Sequence, residues 1–140
     1  MPLRFIHPVQ RATHRIGLYV DELQEQQLTQ GEAHILALLA ESSPSTVADL
    51  HRGLAHKRST LTSILDRLAG RHLITRRVGE ADRRTFIVGL TTKGRKLARR
   101  VERHLEELER RVRQRVKASD VAGFNKVLSA LESEAANRQR

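Results

Sequence analysis

Apolar residues return every three or four positions along four long stretches of the chain, the repeat of a helix with one buried face. Val9, Ala12, Ile16, Tyr19 or Val20, and Leu23 mark the first stretch. The second opens at Thr29, which with Glu32 fits an N-terminal capping box, and continues through Ile35, Leu36, Leu38 and Leu39. Towards the end, Leu97, Val101, Leu105, Leu108, Val112 and Val116 predict one long helix. Val121, Phe124, Val127, Leu128 and Leu131 predict a shorter one, with Ser119 or Asp120 as its cap.

The middle of the chain has a denser pattern. Ser-Ser-Pro-Ser at 42–45 reads as a loop. Thr46 and Asp49 form a second capping box ahead of Leu50 and Leu54. After a break near Gly53 to His56, Leu61, Ile64, Leu65 and Leu68 define a helix ending around Gly70. A hairpin is expected next, with strand 73–78, tip 79–84 and strand 85–90. The predicted order is helix, helix, short helix, turn, helix, β-hairpin, long helix, helix, with no internal repeat and no low-complexity linker. Two helices joined by a tight turn and followed directly by a hairpin make a winged helix-turn-helix. The fold class is therefore mainly α, with one β-hairpin wing.

Charge sharpens this picture because it is segregated. Residues 1–50 carry a balance of −3, residues 51–115 of +12 and residues 116–140 of +1. A basic excess confined to the middle of the chain is the mark of a surface that meets a polyanion. Composition adds exclusions. There is no cysteine, so disulfides and thiol redox sensing are ruled out. No apolar run approaches the ~20 residues of a membrane span, and the start MPLRFIHPVQ lacks a signal-peptide core. A soluble cytoplasmic chain without a membrane partner is expected, with its 140 residues forming one domain.

The second helix of the motif is sized for a major groove of roughly 12 Å. Its polar face carries Arg58, Ser59, Thr60, Thr62 and Ser63, opposite the apolar stripe. The hairpin tip, Gly-Glu-Ala-Asp-Arg-Arg, is longer than a chain reversal requires and sets an acid beside two bases. The tip Asp82-Arg83-Arg84 and the step Leu90-Thr91-Thr92-Lys93-Gly94 resemble the wing and following helix entrance of MarR-type transcriptional regulators. The resemblance takes in Leu28-Thr29, Thr46-Val47-Ala48-Asp49-Leu50, Ser59-Thr60-Leu61-Thr62 and Leu65-Asp66-Arg67-Leu68, and covers roughly residues 10 to 135. It implies a DNA-binding lobe at about 28–92, with dimerisation helices at about 1–27 and 93–140. It also implies that Arg84 enters a minor groove and that Asp82 holds it in place. A carboxylate two residues away can preorganise a flexible guanidinium, whose ordering on docking otherwise costs entropy. Arg83, next along, then serves at most as a phosphate contact. Three positions depart from the family's pattern: His51 replaces a small residue, Ala55-His56 replaces the turn glycine, and His72 replaces the glycine before the wing. The resemblance therefore leaves the docking angle of the recognition helix open.

Other candidates weigh less. The seven histidines include no pair at tight ligand spacing, so no metal is expected. The run 95–116 reads as an apolar seam with solvated basic flanks, a subunit-pairing helix, with Arg95 near enough to the helix start to reach a phosphate. No phosphate loop, nucleophile elbow or His-Glu-x-x-His is present, so neither catalysis nor a cofactor is expected. Many members of the family it resembles answer to small anionic aromatic ligands. Here Arg11, His14, Arg15, Tyr19, His34 and Leu38 are the candidates for such a crevice. The expected function is sequence-specific binding of double-stranded DNA by a homodimer on a palindromic operator, as a ligand-released repressor. The alternative is an architectural protein that binds DNA without sequence preference. The cluster Arg58-Ser59-Thr60-x-Thr62 favours sequence readout.

Overall fold

A capping hydroxyl, an apolar stripe and a stop recur along the chain, and the computed structural model turns each set into an element. It describes residues 2–23 and 28–137. Met1, 24–27 and 138–140, which belong to the expected dimerisation segments, lie outside the described residues. The elements are α1 (Ile6–Asp21), α2 (Gln30–Ser42), β1 (Ser45–Thr46), α3 (Val47–Leu54), α4 (Arg58–Gly70), β2 (Ile74–Val78), β3 (Phe86–Leu90), α5 (Thr92–Arg113) and α6 (Ala118–Asn137). Among the described residues no helix is long and apolar enough to cross a membrane.

The chain divides into two units, Met1–Leu105 and Glu106–Arg140. In the first, Ile35, Leu36 and Leu39 of α2, Leu61 and Leu68 of α4, Leu73, Val88 of β3 and Val101 of α5 are fully enclosed. The sheet runs β1-β3-β2, antiparallel throughout, with Ile74 opposite Leu90 and Val78 opposite Phe86. Its third strand was not expected. Ser45 pairs with Val88 and Thr46 with Ile87, inside and just after the stretch read as a loop. Two residues are too short to show a period-two pattern, and Thr46 then caps α3.

Some boundaries fall short of the apolar repeat. The long helix stops at Arg113, short of Val116. α6 opens at Ala118, so Asp120 is not its cap but its third residue, accepting the Lys117 N–H at 2.8 Å. Leu97 and Val101 face the core of the first unit rather than a partner. Leu23 lies beyond the end of α1 and still packs against that core. In the second unit α6 buries nothing, and Val112, Val116, Val121, Phe124 and Val127 all stand open to solvent.

One junction sets where the wing leaves the lobe. The N–H of Leu73 donates to the Leu68 carbonyl and that of His72 to the Ala69 carbonyl, both at 3.0 Å. This is a Schellman ending for α4, with His72 in the left-handed position usual for glycine (φ 59°). Thr91 then closes the other side: its N–H donates to the Leu73 carbonyl (3.1 Å) and its hydroxyl to the His72 carbonyl (2.7 Å). The same hydroxyl accepts the Gly94 N–H at 2.9 Å, capping α5. A Cβ on Gly94 would lie 1.7 Å from the Leu73 oxygen.

Gly94→Ala should therefore cost about 3 kcal/mol or more in urea unfolding, since backbone and not a pliable side chain must move. Gly123→Ala, with nothing within 4 Å of the new methyl, should instead gain about 0.5–1 kcal/mol. A Gly94→Ala midpoint equal to that of the parent would show that α5 can slide away from Leu73.

Candidate nucleic-acid interface

The helix-turn-helix begins with a fully satisfied helix and ends with an unsatisfied one. Thr46 and Asp49 cap α3 reciprocally, and Asp49 also pairs with Arg52. Hydrogen bonding from the Thr46 hydroxyl, then from its amide, and the Arg52 charge hold the Asp49 carboxyl below its usual range. At the far end Ala55 takes the left-handed conformation (φ 54°), donating its N–H to the His51 carbonyl at 3.0 Å. Both family glycines replaced here, at Ala55 and His72, thus keep glycine's backbone shape.

α2 and α3 each open with a threonine cap and an acid in the first turn. α4 opens at Lys57 with no side-chain cap and no acid. Its first N–H groups and the positive end of its dipole are left for an outside anion. Arg58, Ser59, Thr60, Thr62 and Ser63 are all exposed on this helix, while Leu61, Ile64, Leu65 and Leu68 are buried. This matches the outward face expected from the sequence.

Two ion-pair anchors hold α4 from behind. Glu32, only 3% exposed, accepts from Arg67 of α4 (3.4 Å) and from Arg71 at its C-cap (3.2 Å). It also accepts the Thr29 hydroxyl at 3.1 Å. Replacing Arg71 leaves the enclosed carboxylate with the half-exposed Arg67 as its cation, at a cost of about 1–3 kcal/mol. Asp66 of α4 pairs with Arg76 of β2 at 2.6 Å, tying the recognition helix to the wing. Sequence reading assigned Glu32 to a cap alone. The two arginines four apart at the end of α4, Arg67 and Arg71, were the available signal.

At the wing tip, Gly79 N–H donates to the Thr85 carbonyl (2.8 Å) and Thr85 N–H to the Asp82 carbonyl (3.0 Å). The Asp82 carboxylate accepts the backbone N–H of Arg84 at 3.0 Å. The acid thus shapes the main chain beneath Arg84 and makes no ion pair with its guanidinium. Arg83 and Arg84 are both exposed. A cleft of about 490 Å³ gathers Arg58 and Thr62 from α4, His51 and Arg52 from α3, and Arg84 and Phe86 from the wing. Ser59, Thr60, Ser63, Asp82 and Arg83 stand outside its lining.

The candidate effector residues are dispersed. Arg11, His14 and Arg15 are exposed along α1. Tyr19 stacks on His104 of α5, ring centroids 3.9 Å apart, and donates its hydroxyl to the His104 carbonyl at 2.9 Å. Leu38 is half-buried near Gly53. His34 has an open edge, yet burial of its ring, then the charge of nearby His56, pushes its pKa below the usual range, against Glu41. Among the described residues no three His, Asp or Glu side chains converge as a metal site.

A helix pair whose second member presents an uncapped, cationic start beside a charged β-wing defines a winged helix-turn-helix. The MarR family model matches residues 28–86, from Leu28 just before α2 to the first residue of β3. Over that stretch the chain resembles the MarR family of transcriptional regulators. Its fold is similar to S. aureus MepR in its DNA-binding conformation, with a TM-score of 0.82 at 23% identity over 95% of this chain and 99% of that one. It is similar to a cysteine variant of E. coli MarR complexed with operator DNA, with a TM-score of 0.71 at 24% identity over 91% of both chains. It is also similar to Bordetella bronchiseptica BpsR, with a TM-score of 0.73 at 21% identity over 93% of this chain and 94% of that one. No curated protein sequence matches the chain.

The Asp82 contact yields a test in which two substitutions differ in sign. Asp82→Asn keeps the oxygen that accepts the Arg84 N–H and removes a charge beside phosphate, so duplex binding should hold or tighten. Asp82→Ala loses the hydrogen bond and should weaken binding by roughly 2- to 10-fold, equivalent to about 0.5–1.5 kcal/mol. Equal weakening by both, measured by fluorescence anisotropy, would assign the brace to the carboxylate's charge.

Proposed function

We propose that this protein is a sequence-specific regulator of transcription that binds double-stranded DNA as a homodimer and represses until a ligand releases it. The observation that carries the reading is the single cleft shared by Arg58 and Thr62 of the recognition helix and Arg84 of the wing. A helix start in a major groove and an arginine in the adjoining minor groove are read by one rigid lobe only if both open onto one surface. Ser59, Thr60 and Ser63 extend the base-reading edge, and Arg83 takes a backbone phosphate. Residues of about 28–92 form the DNA-binding lobe, and about 1–27 and 93–140 the dimerisation segments.

Exposed apolar side chains support the homodimer. Leu3, Phe5, Ile6, Ile16 and Leu18 are open in the first unit, as are Val112, Val116 and Phe124 in the second. A second copy supplies the same chemistry on both sides of a two-fold interface. BpsR's DNA binding is regulated by 6-hydroxynicotinic acid. For this chain we infer a small anionic aromatic effector, whose contacts are drawn from Arg11, His14, Arg15, Tyr19, His34 and Leu38 rather than from all of them at once. With its pKa lowered, His34 would meet such an anion mainly as a neutral hydrogen-bond donor.

Selection from a random duplex pool should return a two-fold site with half-site centres about 10–10.5 bp, or a multiple, apart. Its affinity should exceed that of random duplex by about 10³-fold or more at one salt concentration. A ratio near unity would leave the architectural reading standing instead. Arg58→Ala should cost about 1–3 kcal/mol on the selected site and relax one or two positions of each half-site. Unchanged discrimination in that variant would assign Arg58 to phosphate. Sedimentation at micromolar concentration should give a dimer.

A further inference from the structure

Charge along α5 is distributed against the helix's own interest. From Thr92 to Val101 it carries Lys93, Arg95, Lys96, Arg99 and Arg100 and no acid. From Glu102 to Arg113, four acids balance four arginines, with Glu107 paired to Arg110 and Glu109 to Arg113. A helix start is positive, so cations there are destabilising and acids would be favoured. Arg95 with Arg99, Lys96 with Arg100, and Arg99 with Arg103 are also like charges four residues apart, each repelling the other. A local rule broken several times over on one short face marks function rather than solvation.

The geometry makes this face a surface of its own. Gly94, Leu97, Ala98 and Val101 turn inward, and Arg95, Lys96, Arg99, Arg100 and Arg103 splay outward around a groove of about 560 Å³ that they line with Thr92. The row from Arg95 to Arg103 is about 12 Å long. It starts at the root of the hairpin, beside Thr91 and Leu73, whereas Arg84 sits at the tip, about 20 Å away at strand rise. None of its residues lines the recognition cleft. Among the described residues no carboxylate lines the groove, and its donors are long, flexible and multiple, as contacts to a regularly spaced row of phosphates require.

We propose that the outward face of α5, Arg95 to Arg103, is a second, sequence-independent docking surface for the phosphate backbone of duplex DNA. It holds a duplex segment other than the one read by α4 and the wing, so that one protein bridges two segments. The inference rests on the DNA-binding reading above, and its test separates the two.

The selected duplex is immobilised, saturated with protein and washed. A short labelled duplex of random sequence is then passed over it at low salt. Wild type should retain the labelled duplex and release it as salt rises. The triple variant Lys96→Glu, Arg99→Glu, Arg103→Glu should hold the immobilised site within about 2-fold of wild type and lose capture of the second duplex at least about 10-fold. Arg99→Gln with Arg103→Gln, which adds no new charge pairs, should give a smaller loss of capture in the same direction. Absence of capture by wild type, undiminished capture by the variants, or equal loss of both affinities would overturn the second surface. Failure of wild type to bind any duplex would instead overturn the DNA-binding reading.

Discussion

The oxygen of Leu73 occupies the place where a side chain at position 94 would have to go, and the placement of the wing depends on that close approach. α4 must end, the wing must leave and return, and α5 must start, all within a few ångströms. His72 turns the chain by adopting a left-handed backbone, Leu73 continues into β2, and Thr91 fastens the returning strand to both carbonyls. Because Thr91 caps α5 with the same hydroxyl, the helix and the hairpin share one origin. The wing tip is therefore positioned by backbone hydrogen bonds and exclusion at its root. It does not need packing at its own exposed end.

Electrostatics complements this frame. The one enclosed carboxylate in the lobe, Glu32, is used to fix the back of the recognition helix. At the front of the same helix no side chain caps the first N–H groups. The contrast within a single element is informative. Where charge is buried it is paired and structural, and where charge is exposed and unopposed it is available to a polyanion. The first turns of α5 are also exposed and carry cations and no acid of their own, in a helix whose remaining length is charge-balanced.

The comparison between sequence and structure is clearest at Asp82. The acid and the two arginines of the tip were legible, as was a relation between Asp82 and Arg84. Which atoms meet was not. An Asx-type bond from carboxylate to backbone and an ion pair to the guanidinium need the same residues at the same spacing. Only the path of the turn, set by the Gly79–Thr85 bond closing the tip, selects between them.

What the sequence determined by itself is everything carried by neighbours within about a turn. That covers the helices and their caps at Thr29 and Thr46, the hairpin, the outward polar face of α4 and the segregation of charge. These follow from interactions between residues three or four apart, whose geometry the chain cannot avoid. Tertiary structure alone decided the pairing of Ser45 and Thr46 with β3, the meeting of Glu32 with Arg67 and Arg71, and the inward turn of Leu97 and Val101. A two-residue strand has no period, a carboxylate can satisfy a cap and an arginine at once, and an apolar seam does not state whose core it enters. Each was settled by which surfaces remained to be covered once the local elements had formed.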